Sequence, residues 1–152
     1  MPDGPPPNDR ARLIVYRTGL KLGSAEARVQ IDGKGTCGVA SQDALAWDLS
    51  PGAHRLAVFT SSSPGASVLT VRFEAGKTVY VSVFVNGQRA LATFFGGPIA
   101  AYAAADSNSP QGGGFVIEPV EAETAEKEIA TMTKAGCPFQ GGAPMTVKSV
   151  TP

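Results

Sequence analysis

The sequence is poor in the residues from which catalytic and metal centres are most often built. Its 152 residues include one histidine and two cysteines. A structural zinc site takes four ligands, mostly Cys and His, and a calcium site takes a loop of closely spaced Asp, Asn and Gly. The chain offers neither set of ligands. We therefore expect no metal, no cofactor and no enzymatic activity.

Long hydrophobic runs and an excess of charge of one sign are also lacking. No apolar run approaches the roughly 20 residues that a helix needs to cross a bilayer, so we expect no transmembrane segment. The 13 basic and 13 acidic residues cancel, and neither sign is strongly clustered along the chain. Because nucleic-acid binding depends on a strong positive field, we expect no nucleic-acid partner.

The chain is rich in apolar residues at alternating positions. Between residues 45 and 85, β-branched and aromatic residues recur at every second position between short turns of Pro, Gly and Ser. This pattern predicts four strands of an antiparallel meander with one buried face. Further strands are predicted over residues 11–17, 27–32, 36–40, 88–95 and 115–118, with tight hairpins at Asp32-Gly33 and Asn86-Gly87.

One helix is predicted near the C-terminus, over residues 121–135. Apolar residues recur there at three- and four-residue spacing, and Gly136 and Pro138 follow. The predicted fold is mainly β: an antiparallel β-sandwich with one C-terminal α-helix packed on it. The length favours a single domain, residues 11–137, between a flexible Pro-rich leader, 1–10, and a C-terminal tail, 138–152.

Residues 96–114 interrupt the strand pattern. This segment has glycine clusters at both ends and an apolar patch that contains Ile99 and Tyr102. Compact domains seldom keep so long a segment without regular structure unless it has a function. We interpret it as an interaction loop, with Ile99 and Tyr102 in contact with the partner. The alternative is a tolerated insertion whose patch covers one end of the sandwich.

The two cysteines bear on the cellular compartment. Cys37 lies in a predicted strand and Cys137 follows the predicted helix, so a bond between them would join the helix to the sheet. An even count favours a disulfide, which persists in oxidising compartments. Two buried free thiols are the alternative.

The histidine, His54, follows the turn at Pro51-Gly52. The same turn brings Ser50 and Asp48 near it, which permits a nucleophile–base–acid arrangement. Such a base must be oriented in a fixed pocket, which hairpin ends seldom provide. We therefore interpret His54 as a structural residue that begins a strand.

Four stretches of the chain resemble a known family. They are Leu13-Ile14-Val15-Tyr16-Arg17, the Asp32-Gly33 hairpin, Leu49-x-Pro51-Gly52-x-His54-x-Leu56 and Phe73-x-Ala75-Gly76-Lys77-Thr78-Val79-Tyr80-Val81. Over residues 11–135 the chain resembles bacterial domains of unknown function that are similar to PEGA-type surface β-sandwiches and often occur as small lipoproteins. The resemblance implies a β-sandwich in the bacterial envelope, and the loop at 96–114 is larger than in that pattern.

Together these features predict a non-catalytic interaction module of the bacterial cell envelope. We expect a protein partner there, and a periplasmic or envelope-associated location that assumes a signal segment outside this chain. The alternative is a small-molecule-binding protein or enzyme that uses a pocket at the strand ends beside the loop at 96–114. Such a binder should place Trp47, Tyr80 or Tyr102 with carboxylates around a concavity.

Overall fold

The fold was analysed in a computed structural model, which describes residues 6–18, 27–60, 63–85, 115–134, 139–140 and 143–144. The described part is mainly β, as predicted. Its strands are β1 (Ala11–Arg17), β2 (Ala27–Ile31), β3 (Lys34–Val39), β4 (Asp43–Leu49), β5 (Gly52–Thr60), β6 (Ser63–Phe73), β7 (Thr78–Val85), β8 (Phe115–Val120), β9 (Thr133–Lys134), β10 (Phe139–Gln140) and β11 (Ala143–Pro144). One helix, α1 (Ala122–Ile129), lies between β8 and β9. The predicted strand at 88–95 and the hairpin at Asn86-Gly87 lie outside the described residues.

The strands form two main sheets and one small one. A five-stranded sheet has the order β8-β7-β1-β4-β9, a four-stranded sheet has the order β3-β2-β5-β6, and β10 pairs with β11. Most pairs are antiparallel, but β1 runs parallel to β7 and β4 runs parallel to β9. The predicted hairpin at Asp32-Gly33 is confirmed: both residues have positive φ, 53° and 79°, as a type I′ turn requires.

The predicted four-strand meander is wrong. β5 and β6 pair as a hairpin in the four-stranded sheet, but β4 and β7 belong to the five-stranded sheet. The chain therefore crosses between sheets after β4 and again after β6. The physical reason lies in β4, where Ala44 to Trp47 are buried on both faces. A strand buried on both sides belongs inside a covered sheet rather than in a meander with one solvated face.

The main core lies between the two sheets. Leu13, Val15 and Trp47 point inward from the five-stranded sheet and meet Val29, Leu56 and other residues of the four-stranded sheet. The predicted inward rows of β6 and β7 are confirmed, with Phe73 and Val81 buried and Leu69, Val71 and Val79 packed against the core. Face-to-face packing of this kind makes the molecule a β-sandwich.

The helix covers the outer face of the five-stranded sheet, as predicted. Ala125, Ile129 and the following Met132 pack against Ile14 and Tyr16 of β1 and small residues of β4. The fully buried Tyr16 hydroxyl donates a hydrogen bond to Glu128 Oε1 at 3.0 Å, and the Tyr80 hydroxyl donates to Glu126 Oε1 at 3.2 Å. Burial first, and then the Glu128 carboxylate, raise the pKa of Tyr16 far above its usual value. Its hydroxyl therefore stays protonated and can donate.

The helix is shorter than predicted. It ends at Ile129 rather than at residue 135, and Thr133–Lys134 forms β9 beside β4. Met132 lies three residues after Ile129, so it fits a helical stripe although it reaches the same apolar cluster from a turn. Within the described residues no helix is long and apolar enough to span a membrane.

The buried tyrosine predicts a stability effect that a surface tyrosine would not have. In Tyr16→Phe the charge-assisted hydrogen bond to Glu128 is lost, and we expect the free energy of unfolding to fall by about 1 to 2 kcal/mol. Tyr80→Phe is the matched control, because it removes the same group from an exposed bond; we expect a loss of about 0.5 kcal/mol or less. Urea unfolding measures both. Equal losses of unfolding free energy in the two variants would mean that the Tyr16–Glu128 bond stabilises the fold no more than the exposed Tyr80–Glu126 bond does.

Candidate functional site

His54 lies between two turns at one end of the sandwich. Its Nδ1 and Asp32 Oδ2 are 2.5 Å apart, and its Nε2 lies 2.7 Å from the backbone oxygen of Ser50. The other Asp32 oxygen accepts the backbone N–H of Arg55 at 2.9 Å. The imidazole ring also meets the Phe73 ring edge to face, with centroids 5.5 Å apart. Asp32 in the β2–β3 turn is thus joined to β5 and to the β4–β5 turn through one side chain, an arrangement we call the histidine clamp.

The clamp holds His54 in its charged form. A backbone carbonyl can only accept a hydrogen bond and an ionised carboxylate can only accept one, so both ring nitrogens donate. Burial acts to lower the pKa of His54, but the hydrogen bonds to Asp32 and Ser50 and the charge of Asp32 outweigh it, and the pKa is raised. Burial likewise acts to raise the pKa of Asp32, while the Arg55 N–H and His54 lower it. The result is an ion pair whose histidine side chain is 11 % exposed.

The contacts that the structure shows for Ser50, His54 and Asp48 differ from those of a catalytic triad. Asp48 lies opposite Arg12 in the β1–β4 pair and binds it with both oxygens, at 2.8 and 3.3 Å. The carboxylate beside His54 is Asp32 instead. The Ser50 hydroxyl is 3.4 Å from Nε2, which already donates to the Ser50 carbonyl. An imidazolium with both nitrogens engaged has no lone pair with which to accept a proton from serine.

A cleft opens beside the clamp. It has a volume of about 230 Å³, with Ile31 and Leu49 as its buried apolar residues. The polar lining residues are Arg10, Asp32, Lys34, Asp48, Ser50 and His54. The cleft lies where β1 begins and β4 ends, since Ala11 pairs with Leu49. The predicted pocket beside the loop at 96–114 lies outside the described residues, and the strands that flank that loop meet at the opposite end, where Val85 pairs with Phe115.

The outer face of the four-stranded sheet is basic. Strand alternation turns Arg28 of β2, Arg55 of β5 and Arg72 of β6 away from the core, and all three are exposed. None of the four strands contains an Asp or Glu, and none of the three side chains makes an ion pair with a described residue. Ala57, Phe59 and Val68 lie on the same face, where they are buried or half-buried. We call this surface the arginine face.

The opposite side of the molecule is acidic. Five glutamates lie between residues 118 and 128, at positions 118, 121, 123, 126 and 128, and all are exposed. Lys127 pairs with Glu123, four residues earlier, at 3.5 Å. The expectation that neither sign of charge is clustered is therefore corrected: three arginines gather on one outer layer and five glutamates on the other. Folding brings Arg28, Arg55 and Arg72 together from three strands, so the sequence alone conceals the cluster.

The other predicted site residues have different outcomes. Cys37 is disulfide-bonded, and Cys137, the other cysteine of the chain, lies outside the described residues, so their pairing stays a prediction. Ile99 and Tyr102 of the predicted interaction loop also lie outside them.

Trp47 is fully buried in the core rather than at a concavity, and its Nε1 has no hydrogen-bond partner among the described residues. In that part of the chain no group of three His, Cys, Asp or Glu side chains is placed to hold a metal ion.

Comparisons with known proteins give no family for the chain: no protein-family model matches it, and the search of curated proteins finds no match.

The histidine clamp predicts a particular pH dependence of stability. A raised folded pKa means that the His54 contribution is fully present below the unfolded value of about 6.5 and is lost as the pH rises through the folded value. The lowered folded pKa of Asp32 means that its contribution is present above about 3.9 and is lost as the pH falls through the folded value. The difference in unfolding free energy between wild type and His54→Gln should therefore be largest between about pH 4 and about pH 6.5.

Denaturant unfolding across the pH range measures this difference. Asp32→Asn should lose the same pH-dependent contribution to the unfolding free energy, because it removes the carboxylate charge that pairs with His54. Glu74→Gln, in the exposed pair with Lys77, is the control and should run parallel to wild type. A difference between wild type and His54→Gln that does not change with pH would contradict the charged clamp.

The disulfide prediction is tested by mass and by thiol labelling. If Cys37 is bonded to Cys137, the unreduced protein should be lighter than the reduced protein by two hydrogen atoms and should resist alkylation. Cys137→Ser should then expose Cys37 to alkylation and lower the unfolding free energy by about 4 kcal/mol, as expected for a loop of about 100 residues. Alkylation of both thiols in freshly purified native protein would contradict the bond.

Proposed function

We propose that the protein is a non-catalytic interaction module of the bacterial cell envelope, and that it binds an acidic protein partner through the arginine face. The observation that carries this proposal is the group of three exposed arginines on the outer face of the four-stranded sheet. The five-stranded sheet has its outer face covered by α1, whereas the four-stranded sheet presents Arg28, Arg55 and Arg72 to solvent.

The composition of the arginine face supports a protein partner. Protein interfaces are enriched in arginine and place apolar groups at their centre, with charged groups around them. Half-buried Phe59 supplies part of such a centre, and the buried Ala57 and Val68 lie beside it, paired across the β5–β6 hairpin. Arg28 lies opposite Phe59, and Arg72 lies at the far end of the hairpin opposite Ala53. The arginines thus flank the apolar centre along a diagonal of the sheet.

The size of the face indicates the strength of the interaction. Four strands about 4.8 Å apart and the nine residues of β5 give a surface of roughly 600 Å². A stable interface buries about 800 Å² on each partner. The arginine face alone therefore suits a transient complex in which complementary charge guides the partner to it.

The clamp and the disulfide support the remaining parts of the proposal. His54 is engaged by structural hydrogen bonds at both ring nitrogens, which favours a non-catalytic role. The bonded state of Cys37 favours an oxidising compartment such as the periplasm. The loop containing Ile99 and Tyr102 remains a proposed second contact. The alternative, a ligand or reaction site beside that loop, concerns residues outside the described part of the chain.

The proposal predicts that partner capture depends on the three arginines. The immobilised protein should retain one or more acidic proteins from envelope extracts, and Arg28→Gln/Arg55→Gln/Arg72→Gln should lose them. Because the contact is electrostatic, retention by wild type should fall as salt rises from about 0.05 M to about 0.5 M. Quantitative mass spectrometry of the retained proteins measures both effects.

A variant of equal charge change on the acidic side serves as the control. Glu118→Gln/Glu121→Gln/Glu123→Gln should retain the same proteins as wild type. If the arginine variant retains every protein that wild type retains, the arginine face is not the interaction surface. If wild type hydrolyses a substrate in a general hydrolase screen and His54→Gln does not, the non-catalytic proposal is wrong.

A further inference from the structure

The cleft beside the histidine clamp carries an excess of positive charge. We infer that it binds a small oxyanion, the group shared by carboxylic acids and phosphate monoesters. This site is separate from the arginine face, so a test of the cleft does not decide the proposed function.

The excess follows from which charged groups are already paired. Both carboxylates of the cleft have cationic partners: Asp48 binds Arg12, and Asp32 binds His54. Arg10 and Lys34 also line the cleft, and neither makes an ion pair with a described residue. The charge of Lys34 also acts on Asp32, whose pKa it helps to lower, so the cleft has an excess of positive charge that Arg10 and Lys34 present to a ligand. His54 adds little direct bonding because both of its nitrogens are occupied.

Backbone hydrogen bonds fix the main-chain positions of Arg10 and Lys34. The Arg10 N–H donates to the Pro7 oxygen at 3.0 Å, and the Arg10 oxygen accepts from the Gly76 N–H at 2.8 Å. Lys34 begins β3 immediately after the Asp32-Gly33 turn and pairs with Ile31. Both side chains therefore extend from ordered backbone at the edge of the cleft, whose buried apolar residues are Ile31 and Leu49.

The chemistry of these groups selects the ligand class. A guanidinium presents paired N–H donors that match the two oxygens of a carboxylate or phosphate, and an ammonium adds a point charge. The Ser50 hydroxyl also lines the cleft and is exposed, so it can donate a third hydrogen bond. A volume of about 230 Å³ is smaller than the roughly 300 Å³ at which sites for drug-sized ligands begin, so the ligand is a small metabolite-sized anion.

Titration of the full chain with sodium phosphate and, separately, with sodium succinate tests the inference, with sodium chloride at matched ionic strength as the reference. The readouts are the thermal midpoint and amide chemical shifts. We expect one of the two anions to raise the midpoint in a saturable way and to shift resonances of residues at 31–34 and 48–50. A response to phosphate alone would assign a phosphoryl group, and a response to succinate alone would assign a carboxylate.

Matched variants separate this cleft from general charge effects. Arg10→Gln/Lys34→Gln should weaken binding on the order of tenfold or more. Lys127→Gln removes a positive charge from an exposed pair on the helix, away from the cleft, and should bind as wild type does. The triple arginine-face variant should also bind normally, which distinguishes failure of this site from failure of the proposed function. No response beyond sodium chloride, or equal binding by the Arg10/Lys34 variant, would overturn the inference.

Discussion

Burial of β1 on both of its faces is the constraint on which the other layers depend. All seven residues of this strand are buried. Its odd-numbered positions face the sandwich core, and Ile14 and Tyr16 face α1. Such a strand requires two neighbours and two covering layers, because its backbone groups must pair and both of its side-chain rows must leave water. The antiparallel pairing with β4 and the parallel pairing with β7 meet the first requirement.

The polar residues of β1 show how such a strand accommodates charge. Arg12 is 4 % exposed, and its guanidinium binds both oxygens of Asp48 directly across the β1–β4 pair. Arg17 at the other end donates to the Val39 oxygen and lies 4.7 Å from the centre of the Phe115 ring. Burial of these charges is tolerable because they have specific partners. The Arg12–Asp48 pair also places a partly neutralised carboxylate at the lining of the cleft.

The asymmetry of the three layers accounts for the two proposed surfaces. One outer face is covered by a helix whose exposed side is acidic, and the other carries three exposed arginines. The hydrogen bonds from Tyr16 and Tyr80 use two of the helix carboxylates to hold the helix against the sheet. The arginines of the four-stranded sheet have no comparable partner among the described residues. At the end of the sandwich, Asp32 and Asp48 each have a cationic partner, and Arg10 and Lys34 make no ion pair with a described residue, although the charge of Lys34 also acts on Asp32.

The sequence predicts the individual strands and turns well, but it predicts poorly which sheet each strand joins. The apolar run Leu13-Ile14-Val15 indicates a strand buried on both faces, and Asp32-Gly33 indicates a hairpin, because these signals act over a few residues. The crossing after β4 is missed, since alternation specifies a buried face but not the sheet that covers it. The partner of His54 is missed for the same reason: Asp32 is 22 residues away in the chain.

The arginine face could be predicted only in part. Alternation places Arg28, Arg55 and Arg72 on the polar sides of their strands, but their meeting on one outer face depends on the order β3-β2-β5-β6. The helix boundary fails for a different reason. Met132 satisfies the spacing of a helical stripe and also fits the turn that leads into β9, so periodicity cannot distinguish the two.

Site-specific photo-crosslinking tests the central claim most directly, because it reports which face touches a partner in the envelope. Two exposed threonines provide matched positions, Thr70 on the arginine face and Thr124 on the helix. With a photoreactive residue at one position or the other, we predict crosslinks to an acidic protein from Thr70 and none from Thr124. Crosslinks from Thr124 alone would show that the helix face is the binding surface and would contradict the account.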